Sequence, residues 1–115
     1  MLGITAETRV FMMTGITDGR LGYEGLRGLV SNKIREDPRS GYLFAFCNRR
    51  ANRVKLLWYH DGGFYVAAKR PDRGTVDWPR NSAGAARLTI TQLQELLKGV
   101  EFRPHHVTGP PRYRR

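Results

Sequence analysis

The sequence predicts an α+β fold: a small antiparallel sheet of about four to five strands packed with two helices in a single domain. Three observations lead there. Short apolar runs of strand length fill the middle of the chain, set apart by glycine or proline turns or by the polar NRRANR loop. Two stretches with helical spacing of their leucines stand apart from those runs, near residues 18–35 and 89–98. A chain of 115 residues, 40% of them hydrophobic, can bury one core without disulfide or metal staples.

RVFMMTG (9–15) reads as a first strand, stopped by Gly15. Asp18 is placed to cap a helix running to about Arg35, with Leu26, Leu29, Val30 and Ile34 turned inward. Gly22, Gly25 and Gly28 form a small-residue stripe along that helix, expected to let it pack closely on the sheet; close approach of a partner's backbone is the alternative. Asp37-Pro38 and Ser40-Gly41 end it. YLFAFCN (42–48) is a second strand and NRRANR (48–53) a basic connecting loop. RVKLLWYH and FYVAAKR follow as two strands around Asp61-Gly62-Gly63. Arg70–Gly74 makes a turn, TVDW (75–78) a short edge strand ended by Pro79, and NSAGAA a link. LTITQLQELLKG is the closing helix, with Thr89 and Gln92 as a capping box and Leu93, Leu96 and Leu97 inside. The domain is expected to span residues 1–103. Residues 104–115 are too poor in apolar side chains to fold alone and read as a basic, mobile tail.

The central hairpin admits two registers. A two-residue Asp61-Gly62 turn sets Arg53 opposite Arg70 and mixes polar with apolar residues on both faces. A three-residue loop pairs His60 with Phe64 and sorts Val54, Leu56, Trp58, Phe64, Val66 and Ala68 onto one face. Alternation with one buried face favours the second register. It sets Lys55 opposite Lys69 and Tyr59 opposite Tyr65, a repulsive pair beside an aromatic one. The resulting outer face is basic and aromatic, as phosphate neutralisation and base stacking require.

Charge carries the functional reading. Twenty Lys and Arg against ten Asp and Glu give +10 and an isoelectric point near 10.6. The excess is uneven: between Asn48 and Gly74 seven cations meet only Asp61 and Asp72, whereas the chain up to Gly41 is nearly balanced. That asymmetry points to a polyanionic partner, nucleic acid ahead of a membrane surface and DNA ahead of RNA. The expected binding residues are Arg49, Arg50, Arg53, Lys55, Tyr59, Tyr65, Lys69, Arg70 and Arg73. The lone Cys47, within an apolar run, excludes an intrachain disulfide and fits a reducing, cytoplasmic setting, with nucleoid association open to a basic protein. No apolar run approaches the length of a membrane span.

The chain also resembles a known family. The motifs are Thr17-Asp18 with Arg20, Asp37-Pro38 with Ser40-Gly41, and Phe44-Ala45-Phe46. Arg53, Lys55, Leu57, Trp58 and Gly63 follow, then Lys69-Arg70, Gly74, Trp78-Pro79 and Leu88-Thr89. In this order they resemble the TnpB accessory protein, the second reading frame of the bacterial insertion-sequence family numbered sixty-six. The resemblance runs from about Leu2 to Arg103. Gly19, Pro71 and Val76 depart from the pattern, at positions expected in turns or at an edge. The resemblance implies an accessory role in transposition beside a separate transposase, and supplies no agreed catalytic residue or biochemical activity; no cofactor is expected.

Two other functions are weighed. A protein adaptor would meet an acidic surface of the transposase with Tyr59, Tyr65 and Trp78 as anchors. A metal-dependent nuclease would need Asp18, Asp61, Asp72, Asp77 and Glu95 brought together, yet glycine turns and a helix start already account for several of these acids. His60 has no evident orienting partner. The expectation is a binding protein and not an enzyme.

Overall fold

A computed structural model describes residues 2–80 and 84–98; the expected domain boundary at 103 and the tail at 104–115 lie outside them. The α+β class holds, as one five-stranded sheet with two helices. Strand β1 (Val10–Met13) is followed by α1 (Tyr23–Leu29), which widens into a π-helical turn over Val30–Ile34. Strand β2 (Leu43–Cys47) and the hairpin of β3 (Val54–His60) and β4 (Gly63–Lys69) follow. The described chain closes with β5 (Ala85–Leu88) and α2 (Ile90–Leu97). The strand order is β4-β3-β2-β1-β5.

The sheet is mixed, where the sequence reading expected it antiparallel. β1 and β2 are parallel neighbours, with Val10 beside Leu43 and Phe11 beside Phe44. The reason lies in the connection: α1 carries the chain back along the sheet, so β2 starts from the same end as β1. The helix itself starts later than expected. Asp18 does not cap it; its carboxylate accepts from the backbone N–H of Arg20 (2.9 Å) and from that residue's guanidinium, leaving Gly22 as an N-cap without a side-chain bond. Leu26, Val30 and Ile34 do face inward. The glycine stripe does not pack on the sheet, since a Cβ at Gly22 or Gly28 would meet nothing within 4 Å.

Two clusters form the core, one on each side of the sheet. Phe11, Phe44, Phe46 and Leu57 meet Leu26, Val30 and Ile34 beneath α1. On the other side Val10, Met12, Ala45, Val54 and Trp58 meet Val76, Trp78 and Leu93. Every residue of β2 is therefore buried, which explains its unbroken apolar run. TVDW does not form the expected edge strand. Val76 and Trp78 instead plug the second cluster, with Trp78 Nε1 donating to the Met13 carbonyl at 2.9 Å. Val76, 4% exposed, is thus a core residue and not an edge one. The edge position beside β1 goes to β5, which begins at the end of the stretch read as a link (Ala85, Ala86) and runs to Leu88, read as the first residue of the closing helix.

The hairpin takes the register the sequence reading rejected. His60 pairs with Gly63 across a two-residue Asp61-Gly62 turn, both at positive φ (52° and 83°), as a type I′ turn requires. Lys55 consequently faces Ala68, Tyr59 faces Phe64, and Tyr65 faces Trp58. One buried face was the wrong criterion, because both faces of β3 are covered and neither needs to be wholly polar. The capping box on α2 is present as expected: Thr89 Oγ1 accepts from Gln92 N at 3.1 Å, and Gln92 Oε1 accepts from Thr89 N at 2.9 Å.

Candidate nucleic-acid interface

The topology brings most of the expected cations to one end of the sheet. The carboxyl ends of β1, β2 and β4 meet the amino ends of β3 and β5 there. Three loops emerge from it: Gly15–Gly22 after β1, Asn48–Arg53 after β2, and the segment beyond Lys69. They carry Arg20, Arg49, Arg50, Arg53, Lys69, Arg70, Arg73 and Arg80, against Asp18, Asp72 and Asp77.

The loop after β2 is built to hold its arginines out. Asn48 Oδ1 accepts from the backbone N–H groups of Asn52 and Arg53 (both 3.1 Å), and its Nδ2 donates to Asn52 Oδ1 at 2.8 Å. From outside, Arg80 Nη2 donates to the carbonyls of Asn48 and Arg49, each at 3.1 Å. With backbone and bracketing side chains so engaged, Arg49 and Arg50 are left exposed at the tip. The Val76 N–H donates to the Ala51 carbonyl at 2.7 Å, tying the segment after Arg73 to the same loop.

Between this loop and Ile16–Arg20 lies an open cleft of about 490 Å³, lined by Thr17, Asp18, Arg20, Asn48, Arg49 and Arg50 among others. The backbone N–H of Thr17 donates to the Cys47 carbonyl at 2.9 Å, which seats the first loop on the end of β2. Thr17 Oγ1 is buried without a hydrogen-bond partner among the described residues. Asp18 is held at a pKa of about 2, first by the hydrogen bond from the Arg20 side chain, then by the Arg20 N–H; its charge partly offsets the surrounding cations. Cys47 beneath the cleft is pushed up to about 11 by burial, so it stays a neutral thiol.

Not all expected binding residues contribute to the exposed surface of this end. Lys55 lies at the same end but is turned under α1, its Nζ donating to the Leu21 carbonyl at 2.7 Å, so it braces the fold. Tyr59 and Tyr65 lie toward the hairpin tip on opposite faces of the sheet. Tyr59 packs edge-on against Phe64 (5.0 Å between centroids), and Tyr65 stacks on Trp58 (5.1 Å). The single basic-aromatic face expected from the sequence is thus divided between two sides. Sequence reasoning missed the positioning role of Arg80, since nothing local to it signals a bond to a loop some thirty residues earlier in the chain.

The acids considered for metal binding do not converge. Asp18 sits at the basic end, Asp61 at the opposite hairpin tip, and Glu95 on α2 pairs with Lys98 at 3.0 Å. Among the described residues no group of three or more His, Cys, Asp or Glu could hold a metal ion. Among them, too, no helix is long and apolar enough to cross a membrane.

This architecture defines a small α+β protein whose charged loops gather at one end of a mixed sheet. The family described as IS66 Orf2 like protein matches residues 8–107, and the chain belongs to that family. It is therefore a transposition-associated accessory protein of the insertion-sequence type. Two relatives from Sinorhizobium fredii (strain NBRC 101917 / NGR234) are similar over nearly their whole length. The uncharacterized protein y4hO is 34% identical over 111 residues, covering 96% of each chain. The uncharacterized protein y4jC is 26% identical over 102 residues, covering 89% of this chain and 87% of its own. No solved structure matches.

Proposed function

We propose that this accessory protein binds the phosphate backbone of DNA through the basic end of its sheet, supporting the work of a separate transposase. One observation carries the reading: arginines from three separate loops are gathered on a braced scaffold at one end, exposed and in excess of the acids beside them. Guanidinium groups in such an array suit phosphate oxygens, and the braced backbone of the loop that carries Arg49 and Arg50 reduces the ordering cost of binding. Binding is of the backbone-positioning kind, with affinity governed by counterion release.

The test is a salt series with duplex DNA, comparing the unmodified protein with an Arg49→Ala, Arg50→Ala double variant. For the unmodified protein log K falls linearly with log salt, at roughly −0.9 per phosphate contact. The double variant weakens binding and makes that slope shallower by about 2. A variant at the other end of the sheet, Arg9→Gln with Arg35→Gln, leaves the slope nearly unchanged. Equal effects from both variants would mean that charge acts only in bulk. Absence of binding at low salt would refute the reading and favour an adaptor that meets an acidic protein surface.

A further inference from the structure

A second cleft lies away from the basic end, between α1 and the tip of the β3–β4 hairpin. Tyr23 opens α1, and Arg27 stands one turn further on the same side. The strand pair Tyr59–Phe64 presents its rings toward them. Tyr23 and Phe64 lie 5.6 Å apart between centroids, with the Arg27 guanidinium 4.7 Å from the Phe64 ring and 5.7 Å from that of Tyr23. From the loop before β2, the Arg39 guanidinium reaches to 6.0 Å from the Tyr59 ring. The space these groups enclose with Val66 is about 500 Å³, within the range of small-ligand sites.

Two features of this cleft are not accounted for by folding. Tyr23 and Val66 remain 41% exposed, apolar surface left open beside a core that is already closed beneath α1. No carboxylate lines the cleft, and among the described residues neither Arg27 nor Arg39 has a carboxylate partner. Aromatic faces beside unneutralised guanidinium groups match a ligand that is flat and carries negative charge. A nucleotide has both properties. A base within a duplex is sandwiched by its neighbours and cannot enter such a cleft; an unstacked base can.

We infer that this cleft receives one unstacked nucleotide of single-stranded DNA. Its base stacks on the tyrosine rings of Tyr23 and Tyr59, and its phosphate meets Arg27 and Arg39. The inference rests on the nucleic-acid reading above and adds a preference to it: the basic end holds any DNA backbone, and the hairpin cleft favours an opened strand. This is also the role left to Tyr59 once its distance from the basic loops is known.

The experiment compares binding of an oligothymidylate of eight nucleotides and of a short duplex at one salt concentration. It uses the full chain, Tyr23→Leu, Arg39→Gln and the Arg49→Ala, Arg50→Ala variant. Circular dichroism and thermal melting check that each variant is folded. Tyr23→Leu and Arg39→Gln should each weaken oligothymidylate binding by about fivefold or more, the low end of what one aromatic stack or charged contact contributes, and leave duplex binding within about twofold. The loop variant should weaken both. In the unmodified protein, added oligothymidylate should shift the amide resonances of Gly62, Gly63 and Phe64. Cleft variants that leave oligothymidylate binding unchanged, or that lower both probes equally, overturn this inference while the basic-end reading stands. An unmodified protein that binds neither probe overturns both.

Discussion

Lys55 offers the sharpest test of the fold, because register decides the sign of the effect. With Lys55 opposite Lys69, neutralising it would relieve repulsion and raise stability. In the structure its partner across the hairpin is Ala68, and its ammonium donates to the Leu21 carbonyl at 2.7 Å, bracing the entry to α1. Hydrogen bonds to charged groups contribute roughly 1.5–3 kcal/mol, and the partly exposed setting lowers this to about 1–2 kcal/mol. Lys55→Met keeps the stem's packing and removes only the charged donor. For a chain of this length the loss corresponds to a fall in Tm of roughly 4–8 °C, read by thermal melting, with a matching drop in the urea midpoint at unchanged slope. Lys69→Ala, exposed on β4, should stay within about 0.5 kcal/mol of the unmodified protein. A Lys55→Met variant that melts at the same temperature or higher would refute the two-residue register and the brace together.

Two further outcomes follow from the basic end. Asp18 should titrate with a midpoint near 2 by carboxyl NMR, and Arg20→Gln should return it toward the usual 3.8, because the Arg20 side chain is the largest cause of the shift. Since the folded value is depressed, the pair's contribution is present above about pH 3.8 and is lost as pH falls through 2; a midpoint near 3.8 in the unmodified protein would exclude the fork seen here. Cys47, buried and held at a pKa of about 11, should resist thiol alkylation at pH 8 until denaturant is added; rapid labelling of the native protein would show the end of β2 to be open.

Sequence alone determined the α+β class, the capping box of Thr89 and Gln92, the inward face of Leu26, Val30 and Ile34, and the basic loop at Asn48–Arg53. These are encoded within one or two turns of helix or one strand's length, so local spacing and cap chemistry suffice to read them. The family was legible for a related reason: its motifs are short and occur in a fixed order. Tertiary structure decided the rest. Whether Asp61-Gly62 or Asp61-Gly62-Gly63 closes the hairpin depends on what covers each face of the sheet, and Val76, Trp78 and α1 come from distant parts of the chain. The parallel pairing of β1 with β2 and the choice of β5 over TVDW as the edge rest likewise on long-range backbone bonds. The same dependence divided the expected binding residues: Lys55 became a brace, Tyr59 and Tyr65 went to opposite faces, and Arg80 came to hold a loop it does not adjoin. A one-residue change of register turns every side chain of a strand to the other face, so no count of charges along the chain could have assigned them.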